Sequence, residues 1–358
     1  MIPQGRCCGV EPVSVLQRIA PDLLKVMEQR YELLRTIYFT CPIGRRALAV
    51  KAKVSERTVR RELELLEDQG LVVGTPAGMQ ATPAGEQVLV ELKEYIRELY
   101  GLGELERDLS DLLGMDTVIV VPGDSDQDEV VKKDMARATA RYLRGVLRDG
   151  DVLAVTGGTT LSQVADCFPS DTAPKHVTVI PARGGLGEDV HIQANSVAAR
   201  LADRLGGQYR LLHAPDNVAP ALVDTIMREP RIRDVISLVR RSQILLHGIG
   251  TAEEMARRRG MDDGAVMQLI ADGAVGEAFG YYFNVQGDIV YSMASVGLRM
   301  EDLQQIPLVV AVGGGKSKAW AVLSVAGTGY CDVCITDEGA ARRLMSIKRL
   351  KEDVHNGS

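Results

Sequence analysis

The chain has 358 residues, 46% hydrophobic and 25% charged, with a formal net charge of -6. It is long enough for about two domains and too apolar to be a disordered polypeptide. The acidic balance excludes a protein coated in basic surface, although a face that docks on nucleic acid needs positive potential only locally.

The six cysteines, Cys7, Cys8, Cys41, Cys167, Cys331 and Cys334, form no disulfide framework of a small secreted protein, so a reducing cytoplasm is the expected setting. No apolar run approaches the roughly 18 residues of a membrane helix, and the first residues lack the core of a signal peptide.

Apolar residues at Leu23, Leu24, Met27, Tyr31, Leu34, Ile37 and Tyr38 recur every three to four positions, which predicts an amphipathic helix over Leu23–Phe39, closed by Pro42. A short helix is expected over Ile43–Ala52. After the turn at Val54, Ser55 is placed to N-cap a longer helix that runs to Gln69, with Gly70 as its C′ residue. Leu71-Val72-Val73, a turn at Pro76-Ala77-Gly78 and Met79-Gln80-Ala81-Thr82 read as a two-stranded wing, and Pro83 opens another helix.

Helix, short helix, tight turn, longer helix and hairpin make a winged helix-turn-helix, whose second helix of the pair enters the major groove of DNA. Arg45, Arg46, Lys51, Lys53, Arg57, Arg60 and Arg61 cluster there with Glu56 alone opposing them, a basic patch in an acidic protein. Arg57 and Thr58 sit where base edges would be met, and Arg61 is placed for phosphate or base contact.

Val88–Leu113 carries leucines at helical spacing, interrupted by Gly101 and Gly103. A connecting or dimerising helix and two short helices packed on the next domain are equally good readings.

From Thr117 onward, short β runs alternate with helical stretches: Thr117–Val121, Val152–Val155, Val177–Ile180, Ile244–Leu246, Leu308–Val312 and Val333–Thr336. That alternation predicts an α/β domain with a doubly wound, mostly parallel sheet, whose ligands bind at the carboxyl ends of the strands. There, Thr156-Gly157-Gly158-Thr159-Thr160 joins a strand to a helix. Its glycines admit an anion to the backbone, the helix start offers free N–H groups and the threonines add hydroxyls, all of which suit a phosphate. The loop has neither the lysine of a Walker motif nor the spacing of a dinucleotide fingerprint, so a sugar phosphate fits better than NAD or ATP.

Arg183-Gly184-Gly185 and Gly313-Gly314-Gly315-Lys316-Ser317-Lys318 follow two other strands and bring cations to the same side, which suggests two phosphates on one ligand. Glu277 is read either as an acceptor for sugar hydroxyls or as a structural carboxylate.

Taken in order, Pro42-Ile43-Gly44-Arg45-Arg46, Ser55-Glu56-Arg57, the run Ala182–Val190, Gln193-Ala194-Asn195, the run Glu277–Asn284 and the run Thr336–Ala341 resemble the SorC/DeoR-type transcriptional regulators, over nearly the whole chain from about Leu23. The resemblance implies a repressor of an operon for lower glycolysis, with a sugar-isomerase-like effector domain that binds fructose 1,6-bisphosphate. It also implies effector contacts at Gly158, Thr159, Thr160, Arg183, Gln193, Arg258, Glu277 and Lys318; Gly157 joins them from the loop's own chemistry, and the DNA contacts expected from the basic helix-turn-helix are Arg45, Arg46, Ser55, Arg57, Thr58, Arg60 and Arg61. Lys318 is preferred to Lys316 because it directly precedes Ala319. Arg257 and Arg259 flank Arg258 and leave its register open.

The expected organisation is an N-terminal extension 1–22, a winged helix 23–86, a helical linker 87–113, an effector domain 114–350 and a tail 351–358, in a cytoplasmic homo-oligomer, dimer or tetramer, that binds operator DNA and a sugar phosphate and has no cofactor, metal or membrane partner. Met1–Ala20 lies outside the resemblance and is expected to be disordered. The alternatives are a SorC-type regulator of another sugar pathway and a sugar-phosphate isomerase using Glu188 and Asp189 beside Arg183 as acid and base; an attached winged helix argues against the enzyme. Cys331-x-x-Cys334 lacks a second pair or nearby histidines, so both cysteines read as buried small hydrophobes, and the five scattered histidines suggest no catalytic triad.

Overall fold

The computed structural model describes residues 12–169, 176–185 and 189–356. The chain divides into two compact units, one ending at Gly103 and the other beginning at Glu104.

The first unit opens with α1 (Pro12–Ile19) and α2 (Pro21–Thr40). Residues 12–20, expected to be disordered, are therefore largely helical, and Gln17 Nε2 donates to the Leu99 carbonyl at 3.3 Å; the first eleven residues lie outside the described ones. Next come α3 (Arg45–Lys51), α4 (Glu56–Asp68), β1 (Val72–Thr75), β2 (Gly78–Ala81) and α5 (Pro83–Leu99). Leu33, Leu34, Ile37, Leu48, Val59, Leu63, Leu66, Val72 and Met79 form their shared core.

The turn between α3 and α4 places Lys53 in the left-handed region, φ 54°. Ser55 caps α4 by accepting from the Thr58 amide at 3.0 Å. The wing turn is shorter than expected, because Gly78 already pairs with Thr75. Ile43 bridges to Met79 through two backbone hydrogen bonds, 3.1 and 2.8 Å. A Cβ at Gly78 would lie 2.8 Å from the Ile43 carbonyl, so glycine lets the wing seat against the segment that precedes α3.

The segment Val88–Leu113 is divided between two helices, the end of α5 and a following one. Gly101 at φ 64° breaks the run, and α6 (Leu102–Leu113) follows, with Leu105, Leu109 and Leu113 buried. Glu106 Oε1 accepts the Val120 amide at 2.7 Å, which ties α6 to the sheet of the second unit.

That unit continues with β3 (Thr117–Val121), α7 (Glu129–Val146), β4 (Val152–Val155), α8 (Thr159–Cys167), β5 (Thr178–Pro181), α9 (Ala194–Leu205), β6 (Gln208–Tyr209), α10 (Pro220–Met227), α11 (Pro230–Val239), β7 (Ile244–Gly248), β8 (Gly250–Thr251), α12 (Ala252–Arg258), α13 (Asp263–Ala271), β9 (Gly276–Ala278), β10 (Tyr281–Phe283), β11 (Ile289–Ser292), α14 (Met300–Leu303), β12 (Leu308–Val312), α15 (Ala319–Gly327), β13 (Val333–Asp337) and α16 (Glu338–Asn356). The helix α16 carries the expected tail on to Asn356.

Seven parallel strands stand in the order β3-β13-β12-β7-β4-β5-β6. From β4 the chain winds one way through β5 and β6, and from β7 it winds the other way through β12 and β13. The reversal between β4 and β7 opens a crevice at their carboxyl ends, where doubly wound sheets take ligands. Leu153, Val155, Leu246, Val310, Val312 and Ile335 pack this sheet against Val164, Val197 and Leu201 of α8 and α9.

Two features were not expected from sequence: the edge strand β6, and a four-stranded antiparallel sheet ordered β11-β10-β9-β8.

Candidate effector cleft and DNA-reading helix

A cleft of about 880 Å³, partly open to solvent, lies at the reversal point. It is lined by Gly157, Gly158, Thr159, Thr160, Arg183, Gln193, Arg258, Glu277 and Lys318, so the structure brings together all nine residues singled out for the effector. Lys316 is exposed and not in the lining. The arginine run separates by role. Arg257 is held on the surface by Glu253 and Asp263, Arg258 lines the cleft, and Arg259 is buried in its wall.

The loop after β4 is shaped by its glycines. A Cβ at Gly157 would lie 2.6 Å from the Ile192 carbonyl. Gly158 holds φ 124° and donates to that carbonyl at 2.7 Å. Gly158 caps α8 without a side chain, which leaves the first amides of the helix pointing toward the cleft, as an anion requires. Arg200 braces the loop from behind, reaching Asp166 on α8, Ser162 and the His191 carbonyl. Asp189 is spent on capping, accepting from the His191 amide at 2.9 Å; Glu188 lies outside the described residues.

Sequence reasoning missed the ion network in the cleft wall. Arg183 Nε donates to Asp216 Oδ1 at 2.7 Å; Asp216 Oδ2 also binds Arg259, whose Nη2 reaches Glu277 Oε1 at 2.8 Å. All four side chains are nearly fully buried. Burial lowers the Arg183 pKa, with the neighbouring Arg259 adding to the effect against the pull of Asp216. For Arg259 burial acts in the same direction, but the two carboxylates outweigh it and the pKa rises. Arg183 Nη1 and Nη2 are buried without a hydrogen-bond partner among the described residues. A desolvated guanidinium fork with no partner is costly, and it matches the bidentate demand of a phosphate.

Glu277 sits in β9, facing Tyr282 and Gly250 across the small sheet. One of its oxygens is committed to Arg259 and to the Gly280 amide, which makes it a structural carboxylate, and the residue also lines the cleft. The β9–β10 turn, Phe279-Gly280, has φ of 57° and 76°, the type I′ geometry that normally takes Asn-Gly. Phenylalanine is strained there. It is held by the His247 ring, 4.4 Å away between centroids, and lines the cleft.

His247 is fully buried and its pKa is driven down to about 4 by burial. Its Nε2 lies 3.5 Å from Cys331 Sγ. Cys331 and Cys334 are buried free thiols; burial pushes Cys334 up to about 12, as inert packing groups behave.

In the first unit, Arg45, Arg46, Arg57, Arg60 and Arg61 are exposed on α3 and α4, while Val59, Glu62, Leu63 and Leu66 face inward. Glu56 is not their sole acidic neighbour. Buried Glu62 takes Arg30 Nε at 2.8 Å and Arg61 Nη2 at 2.6 Å, so Arg61 is partly occupied, though 74% of its side chain remains exposed. Burial alone would raise the Glu62 pKa, but the two arginines bring it down. The Ser55 and Thr58 hydroxyls bond each other at 2.8 Å, which gives Ser55 a capping role first.

Residues 97–346 match the family described as "Putative sugar-binding domain", and residues 26–96 match the CggR N-terminal DNA binding domain. The central glycolytic genes regulator of Priestia megaterium is 41% identical over 93% of this chain and 98% of its own length. The chain belongs to the SorC family of transcriptional regulators, among the central glycolytic genes regulators. The Bacillus subtilis member is 39% identical over 93% of this chain and 98% of its own. A SorC-family transcriptional regulator of known structure from Enterococcus faecalis is 38% identical, covering 68% of this chain and 99% of that one, with a TM-score of 0.63. The two domains make this SorC-family member a sugar-responsive transcriptional regulator, and not an enzyme. Among the described residues no helix is long and apolar enough to cross a membrane, and no cluster of ligating side chains is arranged to hold a metal.

Proposed function

We propose that the chain is a cytoplasmic repressor of a glycolytic operon, and that fructose 1,6-bisphosphate releases it from its operator. The observation that carries this reading is the unpaired, buried fork of Arg183 in the same cleft as the open N-terminus of α8. One phosphate takes the amides and hydroxyls of Gly158, Thr159 and Thr160. The other takes the cationic side of the cleft, with Arg183, Arg258 and Lys318, while Gln193 and Glu277 face the sugar hydroxyls.

On the DNA side, Arg57, Thr58, Arg60 and Arg61 enter the major groove and Arg45 and Arg46 meet phosphates. Two or four copies act together, as half-site recognition by helix-turn-helix proteins requires. Effector binding fixes the cleft loops and shifts the population toward a form with poor operator affinity, by no more than the difference in effector affinity between the two forms.

Calorimetric titration with fructose 1,6-bisphosphate, fructose 6-phosphate and glucose 6-phosphate tests the ligand assignment. The bisphosphate is expected to bind at least about tenfold tighter than either monophosphate, since each charge-assisted contact contributes about 1.5–3 kcal/mol. Equal affinities would remove the second phosphate site.

A further inference from the structure

Lys318 is held in place from outside the cleft. It ends the loop Gly313–Lys318, which begins with three glycines and passes through φ 97° at Gly315. Its three glycines have no side chains to fix them and lose much backbone entropy when ordered. The fixing groups come from other elements. Asp337, fully buried at the end of β13, accepts the Gly315 amide at 2.7 Å together with the amides of Ser125 and Ala340, both at 2.8 Å. Asp126, in the loop after β3, accepts the Ser317 amide at 2.7 Å on one oxygen and the Ser317 hydroxyl at 2.9 Å on the other. Asp124 accepts the Lys316 amide at 3.3 Å.

The approach is so close that a Cβ at Gly315 would lie 2.3 Å from Asp126 Oδ1. Asp126, Asp124 and Asp337 are all absent from the cleft lining. The strands β3 and β12 are separated by β13, so the Asp126 contact spans one strand of the sheet. Lys318, one residue beyond Ser317, lines the cleft; its ammonium makes a long bond of 3.4 Å to the Ile249 carbonyl, too weak to orient it alone.

We propose that Asp126 is a positioning residue for the effector: through Ser317 it fixes the loop that aims Lys318 into the cleft. This rests on the cleft being the sugar-phosphate site. Asp126 is exposed, so its removal leaves the core intact, whereas a change at buried Asp337 would confound positioning with folding.

The test is a double-mutant cycle on the full chain, with fructose 1,6-bisphosphate affinity measured by calorimetry for wild type, Asp126→Ala, Lys318→Met and the pair. Asp126→Ala is expected to bind about tenfold more weakly, within the range seen for residues sharing one network. The same change should have little further effect once Lys318 is Met. Asp126→Asn, which keeps an acceptor for Ser317, should fall between wild type and Asp126→Ala, and effector-free operator affinity should be unchanged by either Asp126 variant.

A wild-type affinity in Asp126→Ala, or a loss that adds in full to that of Lys318→Met, overturns the positioning role while leaving the cleft assignment standing. A wild-type protein that binds no sugar phosphate overturns the cleft assignment and this inference with it.

Discussion

Replacing Arg183 separates sensing from folding and DNA binding. In Arg183→Met, Asp216 loses one partner but keeps Arg259, so the stability cost falls at about 3 kcal/mol, the low end for a broken buried ion pair. The loss of effector binding is larger. The two Nη groups have no hydrogen-bond partner among the described residues, and if each makes a charge-assisted bond of about 1.5–3 kcal/mol to phosphate, affinity drops by about 3–6 kcal/mol, roughly 10²- to 10⁴-fold.

Thermal unfolding with and without fructose 1,6-bisphosphate reads both effects. At about 100 times the wild-type Kd the ligand adds about 2.7 kcal/mol to wild type, and Arg183→Met at that concentration should show almost none of it. Arg183→Lys keeps the charge without the fork and should recover only part. An Arg183→Met protein stabilised by the ligand as much as wild type would refute the reasoning.

Three further outcomes are expected. Arg57→Ala or Arg60→Ala should each weaken operator binding and reduce the slope of log affinity against log salt by about one where a phosphate contact is lost, with effector affinity unchanged by titration calorimetry. Gly157→Ala should displace the phosphate loop, because the new Cβ would lie 2.6 Å from the Ile192 carbonyl and 2.9 Å from the Ala194 amide; effector affinity should fall while the effector-free operator complex persists in gel shift.

Acid should destabilise the protein through His247. Its ordinary pKa near 6.5 is lowered to about 4 by burial, so between these values the unfolded chain binds a proton that the folded one refuses. Stability is therefore lost as pH falls from about 6.5 to about 4, by up to about 3 kcal/mol. Denaturant unfolding of His247→Phe across that window should show a flatter dependence than wild type.

Strands β3, β4 and β12 were legible in sequence because Thr117–Val121, Val152–Val155 and Leu308–Val312 are nearly continuous apolar runs of the kind a parallel sheet buries on both faces. The glycine-threonine loop was legible as a candidate anion site because it joins a strand to a helix start, and the structure places it in the cleft. The small antiparallel sheet was not, since strands such as Gly250–Thr251 and Gly276–Ala278 are too short to show alternation. Asp216 was invisible for a related reason: it lies in the irregular segment between β6 and α10, and its partners Arg183 and Arg259 are 33 and 43 residues away. Arg259 stood in an arginine run whose three members differ only in burial, which composition does not reveal. Of the two readings left open for Val88–Leu113, two helices hold because Gly101 adopts a left-handed φ that stops a helix, and the expected disorder fails over residues 12–20, where Pro12 and Pro21 open helices α1 and α2.

The most direct test of the account is fluorescence anisotropy of labelled DNA from upstream of the organism's glycolytic operon, bound by the full chain and titrated with fructose 1,6-bisphosphate. Tight binding without ligand and release at sub-millimolar bisphosphate, on the order of 10⁻⁴ M, are expected. A complex that persists through saturating bisphosphate would contradict it.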